Sequence, residues 1–526
     1  MIKNIYNDFK NDIRTKITFI ASIVFGLITY SYLLNNNVYN HDSIYMTPTG
    51  YGCGIGVGRW SLQLLGGICD KLGLDYNIPI FKIGMAIIFI SVAAVFIVKL
   101  LNIKNKYLCI ILPGIIMVFP STVGAFMFSF TAHYYMFGFM CLVIGTYLAT
   151  IEKKLSWLLS IGFIGFGFGF YQAYIQFVIV LFVLSLLSKC MEDNKWIDVL
   201  KTGIRYVVIL ILGYLVYDMC LKICLNITGI TLIAYQGVSE MGSINMSTIW
   251  EQVCSSYKFF FALPFEKNIG ISSTIIIRIV YLIMYIVVSG AIFIYLIYDV
   301  VKRRNYVRSI LTLFLMLVFP LASYFIFVML SSKSYIHTLM LMGGVGVFVL
   351  AILVADFGLG IGLKNISKNK ENSMIFKCIK LSALVLGVLV SIGVADYFYQ
   401  ANGNFTRLYY SNEKVENYYS VMLSRIQSVD EYTVDKEIVF VGGFINDTNL
   451  NYDWGDEIFD NTATISAVNI YSRNDVFRNL FGYKINNVAI GSNEYLEIED
   501  DILRMGCYPD ANSIKVIGDD VVVRLN

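Results

Sequence analysis

The strongest constraint on this chain is a series of long apolar runs. A helix needs about 20 apolar residues to cross the hydrocarbon of a bilayer. Runs of about that length fall at 17–34, 80–101, 107–126, 134–151, 155–170, 171–188, 204–226, 273–299, 309–330, 336–357 and 377–395. The expected fold class is therefore a polytopic α-helical membrane protein with about 11 transmembrane helices. Composition agrees: 57% of the 526 residues are hydrophobic and 15% charged, against about 25% charged in a soluble domain. A soluble cytoplasmic enzyme, a disordered chain and a collagen-like fibre are excluded. The runs 155–170 and 171–188 form one long apolar stretch, so length alone divides them.

The net charge of +3 hides a split. From Asp396 to the C-terminus there are 21 acidic and 10 basic residues, and the first 395 residues hold 16 and 30. Two parts follow: a basic membrane body, 1–395, and an acidic segment of ordinary polarity, 396–526. The basic excess needs no nucleic acid, because Lys and Arg gather in the cytoplasmic loops of membrane proteins. With the N-terminus cytoplasmic, alternate loops carry Lys104 and Lys106, then Lys153 and Lys154, then Lys189, Lys195 and Lys201. Arg303, Arg304 and Arg308 follow, then Lys364, Lys368 and Lys370. An odd span count puts the acidic segment outside the cell membrane. There it reads as a small extracytoplasmic α/β domain: a helix at 411–428, a buried strand at 437–444, and a hairpin turning at Gly518-Asp519. No cleavable signal peptide is expected, since the first apolar run is long enough to remain as a span. The ten cysteines show no CxxC pair or metal spacing, and a Cys53–Cys69 disulfide is left open.

The polar chemistry is expected at one face. The three histidines, His41, His133 and His337, all fall at the outer ends of spans. The outer loop 35–79 carries Asn40-His41-Asp42-Ser43 and then Gly58-Arg59-Trp60. A carboxylate at the membrane boundary can act as general base on a sugar hydroxyl, an arginine can bind phosphate with two parallel hydrogen bonds, and an indole can stack on a sugar ring. The residues leave a second reading open, in which Asp42 caps a surface helix and Arg59-Trp60 anchors at the interface. His133-Tyr134-Tyr135, which also reads as part of an aromatic belt at the interface, and the run Tyr171-Gln172-Ala173-Tyr174-Ile175-Gln176 are candidate sugar or acceptor contacts. Gln172 and Gln176 are expected on one helical face, with helix–helix hydrogen bonding as the alternative. Lys333 and His337 before the tenth span, and Arg278 just inside the eighth, are candidate donor-phosphate ligands. Asp218 is the alternative partner for Arg278. No P-loop, dinucleotide fingerprint or HExxH helix is present.

One span, then an outer loop with HDS followed by GRW, then aromatic-rich spans and an outer tail: this order resembles the bacterial O-antigen glucosyltransferase II family. These are serotype-modifying membrane glucosyltransferases of the GT-C type. The resemblance covers most of the membrane body. It implies inverting transfer of a monosaccharide, with glucose the expected sugar, from undecaprenyl phosphate to a cell-surface glycan at the outer face of the bacterial plasma membrane. It makes Asp42 the catalytic base and Arg59 a phosphate-binding or loop-organising residue. A polyprenyl-phosphate glycosyltransferase and a flippase are the implied pathway partners. This chain has no second acid beside Asp42, and whether a divalent metal takes part stays open.

Two other classes fit the span count. A lipid-linked oligosaccharide flippase or transporter would need repeat symmetry or paired charges at mid-membrane, and neither is seen. A glycan polymerase would need basic outer loops, and the outer regions here are mainly acidic.

Overall fold

The computed structural model describes residues 11–192, 194–233, 248–267, 269–330, 336–366, 374–442 and 472–525. Among them, nine helices are long and apolar enough to cross a membrane. A tenth span is a bent pair, Lys106–Val118 with Pro120–Met127, turning through 48°. The remaining expected span, 155–170, is an apolar helix of only 15 residues, Lys154–Phe168, about 22 Å long and short for a bilayer. The expected count of eleven thus resolves into nine full helices, one broken helix and one short one.

The break has a local cause. Pro120 lacks an N–H, so the Ile116 carbonyl loses its helical donor. Thr122 Oγ1 donates to that carbonyl at 2.7 Å. Tyr30 Oη donates to the neighbouring Met117 carbonyl at 2.7 Å, and the Tyr30 ring stacks on Phe126. Two side chains thereby satisfy carbonyls left open by the missing proline N–H and by the extended backbone at Phe119.

Burial sorts the helices. In the most apolar windows of Gln172–Met191 and Met342–Gly360, 83% and 89% of residues are buried, so these two sit at the centre. The windows of Ile13–Asn35 and Trp196–Thr228 are 33% and 22% buried, leaving broad apolar faces for lipid. Close packing uses small residues. A Cβ on Gly165 would lie 3.0 Å from the Gly213 carbonyl, so the helices Lys154–Phe168 and Trp196–Thr228 touch nearly backbone to backbone.

The helix Met374–Gln427 has 54 residues and is about 80 Å long, far more than the roughly 30 Å of hydrocarbon. It passes residue 396 without a break. Its buried stripe, Val390, Val394, Tyr397, Ala401, Phe405 and Leu408, packs in the bundle core. The same stripe continues as Val415, Tyr419, Met422 and Ile426 in a second core.

That second core is built on a four-stranded sheet. The strands β1 (Glu437–Val441), β2 (Ile485–Val488), β3 (Ile514–Ile517) and β4 (Asp520–Arg524) lie in the order β2-β1-β4-β3. β1 runs parallel to both neighbours, and β3 pairs antiparallel with β4 through the turn expected at Gly518-Asp519. Alternation along a strand sends Ile438 and Phe440 toward the long helix. Val439 and Val441 face the helix Asn493–Leu503 instead. Tyr39 and Ile44, from the first loop, are buried in the same core as Ile438 and Phe440.

Candidate functional site

The chain leaves its first membrane helix at Asn35 and extends to a five-residue helix, His41–Tyr45. Asn40 is its N-cap: the Asn40 side chain accepts from Ser43 N and Ser43 Oγ, both at 2.8 Å. Asn is a favoured cap because its short side-chain oxygen meets an orphan N–H. The capping role therefore falls to Asn40 rather than to Asp42. The Asp42 carboxylate lies in the first turn, where the helix N-terminus favours negative charge, and keeps 33% of its side chain exposed. His41 Nε2 approaches Asp42 Oδ1 to 3.6 Å.

This short helix is gripped from two sides. On the bundle side, Asn40 is fully buried and its Nδ2 reaches the Met127 carbonyl at 3.5 Å. On the other side, Asn412 of the long helix pairs with the backbone of Tyr39. Its Oδ1 accepts from Tyr39 N at 3.0 Å and its Nδ2 donates to Tyr39 O at 2.8 Å. Asn479 Nδ2 donates to the carbonyls of Ile44 and Thr47, each at 3.0 Å.

The rest of the first loop is tied down by Lys82, in the first turn of the helix Pro79–Leu101. Lys82 is 1% exposed. Its ammonium donates to the carbonyls of Asp75 (3.0 Å), Gly50 (3.2 Å) and Phe130 (3.4 Å), and to Asn77 Oδ1. Cys53 and Cys69 are both free thiols, so no disulfide closes this loop.

Gly58, Arg59 and Trp60 form the next part of the site. Gly58 has φ +75°, and a Cβ there would fall on the Gln172 amide and lie 2.8 Å from Tyr217 Oη. The missing side chain lets Gln172 Nε2 donate to Val57 O and to Tyr217 Oη, both at 3.0 Å. Tyr217 Oη in turn donates to Gly58 O at 3.1 Å. Held this way, Arg59 lies 5.0 Å from the Tyr171 ring centroid and 5.5 Å from that of Tyr135. Its Nη1 donates to Tyr135 Oη at 2.8 Å. Tyr174 stands edge-on to Tyr171. Trp60 is 9% exposed and packs edge-on against Phe166, so Arg59-Trp60 docks into the bundle rather than lying at its surface.

Gln172 and Gln176 do not share a helical face. Tyr171 is extended, Gln172–Tyr174 is a 3₁₀ turn, and the α-helix starts at Ile175. Gln176 Nε2 donates to Ala173 O at 3.2 Å and to Met340 O. Tyr134 is buried with the His133 ring against it, centroids 3.9 Å apart. His337 precedes the turn Thr338–Met340, and Ser121 Oγ donates to Thr338 O at 2.7 Å. The eight-residue helix Pro120–Met127, about 12 Å long, thus holds the His337 turn near one end and Asn40 at the other. Arg278 donates to the carbonyls of Thr274 and Phe265, and Asp218 pairs with Lys222 at 2.7 Å rather than with Arg278. Lys333 lies outside the described residues. Among those residues, no group of three or more His, Cys, Asp or Glu gathers to hold a metal ion.

Sequence reasoning missed Lys82, Asn412 and Asn479; it singled out Asn40 and Tyr135 without the cap that one forms or the Arg59 hydrogen bond that the other accepts. Asn40 had a signal, an Asn directly before a short polar helix start, and Lys82 had one as a lone charge near the start of an apolar run. Nothing local marks Asn412 or Asn479.

The fold and the site together define a multi-pass membrane protein in which a polar loop is clamped between a helical bundle and a small sheet. The family model for glucosyl transferase GtrII matches residues 31–350, more than half of the 526, and the chain belongs to that family. It is a membrane glycosyltransferase, and the match contains the short helix of Asp42, the Arg59 cluster and His337. No curated protein and no solved structure matches the chain.

Proposed function

We propose that this chain is an inverting glucosyltransferase that moves one sugar from a polyprenyl-phosphate donor to a cell-surface glycan at the outer face of the plasma membrane. The N-terminus is then cytoplasmic and residues 396–526 extracytoplasmic. Asp42 takes the proton of the acceptor hydroxyl. The acceptor oxygen bonds to the anomeric carbon as the bond from that carbon to the phosphate oxygen breaks, and the electron pair leaves with the lipid phosphate. Arg59 and His337, with Lys333, stabilise the charge that develops there. A phosphate monoester needs no proton to leave, so one carboxylate suffices, unlike the pair in a glycosidase.

One observation supports this reading above the rest. The solvent-reaching acid of the family-matched loop sits on a helix fixed by hydrogen bonds from both the bundle and the C-terminal part. A positioned general base is worth about 10²–10⁴-fold in rate. Asp42→Asn in membranes supplied with labelled polyprenyl-phosphate glucose is expected to lose transfer by about that factor at unchanged expression. Transfer at the wild-type rate rejects Asp42 as the base. The pathway enzymes that load the lipid and flip it outward complete the scheme.

A further inference from the structure

A cavity of about 760 Å³ opens between the helices Lys154–Phe168, Ile175–Met191 and Trp196–Thr228. It lies toward the end of the bundle opposite the Arg59 loop. Arg205, on its wall, is 12 residues before Tyr217 on one helix, about 18 Å along the axis, and Tyr217 is the residue that meets Gly58. Nothing proposed for sugar transfer uses this cavity.

Its lining is divided. Lys189, Lys201 and Arg205 supply three cations, and Glu152 and Asp198 supply two acids. Below them Ile204, Val208 and Leu212 recur every four residues, forming an apolar stripe along one side of the helix. These three are 59%, 47% and 40% exposed, a surface suited to an acyl chain. Arg205 is the centre of the polar end. Its guanidinium carbon sits 5.1 Å from the Trp157 ring centroid and 5.7 Å from that of Tyr206. Its Nε and Nη2 atoms are buried and make no well-aligned hydrogen bond among the described residues; the Tyr206 hydroxyl lies beside the guanidinium and is also engaged by Ser185 Oγ at 3.1 Å. A buried guanidinium edge without a well-aligned acceptor is costly, and an anionic oxygen is the group its fork fits.

We infer that this cavity is a binding site for an anionic phospholipid of the phosphoglycerol type, with the phosphate on Arg205 and the acyl chain along Ile204, Val208 and Leu212. The headgroup explains the mixed charge. Its phosphate answers the three cations, and its glycerol hydroxyls supply donors for Glu152 and Asp198. The site is separate from the proposed donor site and stands whether or not Asp42 is the base.

Native mass spectrometry of the purified full-length protein in detergent tests this. Phosphatidylglycerol, phosphatidylcholine with the same acyl chains, and inorganic phosphate are the probes. Wild type is expected to retain phosphatidylglycerol over phosphatidylcholine. Arg205→Gln is expected to lower phosphatidylglycerol binding about tenfold, and Lys201→Gln to lower it less, with phosphatidylcholine unchanged in all three. Lys201 is exposed, so its variant keeps the cavity walls and decides the matter should Arg205→Gln not fold. Equal retention of the two lipids by wild type, or undiminished phosphatidylglycerol binding by Lys201→Gln, overturns the inference. Displacement of phosphatidylglycerol by inorganic phosphate also overturns it, in favour of a free-anion site.

Discussion

Asn479 donates its side-chain amide to the carbonyl of Ile44 at 3.0 Å, across 435 residues of sequence. The same nitrogen reaches the Thr47 carbonyl. One residue near the C-terminal sheet therefore closes the far end of the helix that carries Asp42. Ile44 itself is 1% exposed in a core shared with Val521 and Val523, so the loop is a part of that domain as much as of the bundle.

Removing this clamp should loosen the acid without unfolding the chain. Asn479→Ala deletes both bonds, each worth about 1 kcal/mol. Transfer from labelled lipid-linked sugar is expected to fall about tenfold, while the thermal unfolding of the purified protein barely moves. A rate equal to wild type would show that the helix needs no support from this side.

Gly58→Ala should do more harm than one methyl group implies. The new Cβ would meet the Gln172 amide and Tyr217 Oη, at a φ that L side chains rarely adopt. A loss of about 2–3 kcal/mol in stability and strongly reduced transfer are expected. Gln172→Ala should by contrast relieve the clash and be milder in combination with Gly58→Ala than the sum of the two, as a double-mutant cycle would reveal.

Lys82→Met keeps an unbranched side chain, one atom shorter, and removes its donors. Three backbone carbonyls and Asn77 lose a partner, at about 1–3 kcal/mol for each group left unsatisfied. The segment 46–78 should become cleavable by added protease in intact cells or oriented vesicles, under conditions that leave wild type whole. Resistance equal to wild type would place the order of this loop elsewhere.

Acid sensitivity is expected at the other end of the bundle. Asp12 accepts from Arg14 and pairs with Lys99 at 2.8 Å. The Arg14 hydrogen bond, aided by Lys99 and working against partial burial, holds its carboxyl well below the usual carboxylate range. A depressed folded-state pKa gives stability that is complete above the unfolded value, about 3.9, and disappears as pH falls through the folded one. Asp12→Asn should therefore melt lower than wild type at pH 7, with the gap closing below about pH 4. A gap independent of pH would show that charge on Asp12 is not its contribution.

The sequence by itself determined the solvent of each segment. Runs such as 80–101 and 377–395 are too apolar to lie in water, and the local order HDS then GRW marks one polar loop among them. It also determined the alternation in β1 and the turn at Gly518-Asp519, because strand period and turn chemistry are local. The tertiary structure decided what required partners from afar. Hydropathy ends the last span near 395, yet the helix runs on to Gln427, since polarity reports the surrounding medium and not the backbone hydrogen bonds. The stretch 155–188 reads as one long apolar run marked by Gln172 and Gln176, and its interruption at Tyr171 goes with docking against Val57, Gly58 and Tyr217. Asp42 was visible from its place beside a span. That Asn40 caps its helix, Asn412 holds Tyr39 and Asn479 holds Ile44 was not. A side-chain amide can bond any backbone within reach, and only the packed fold fixes which one that is.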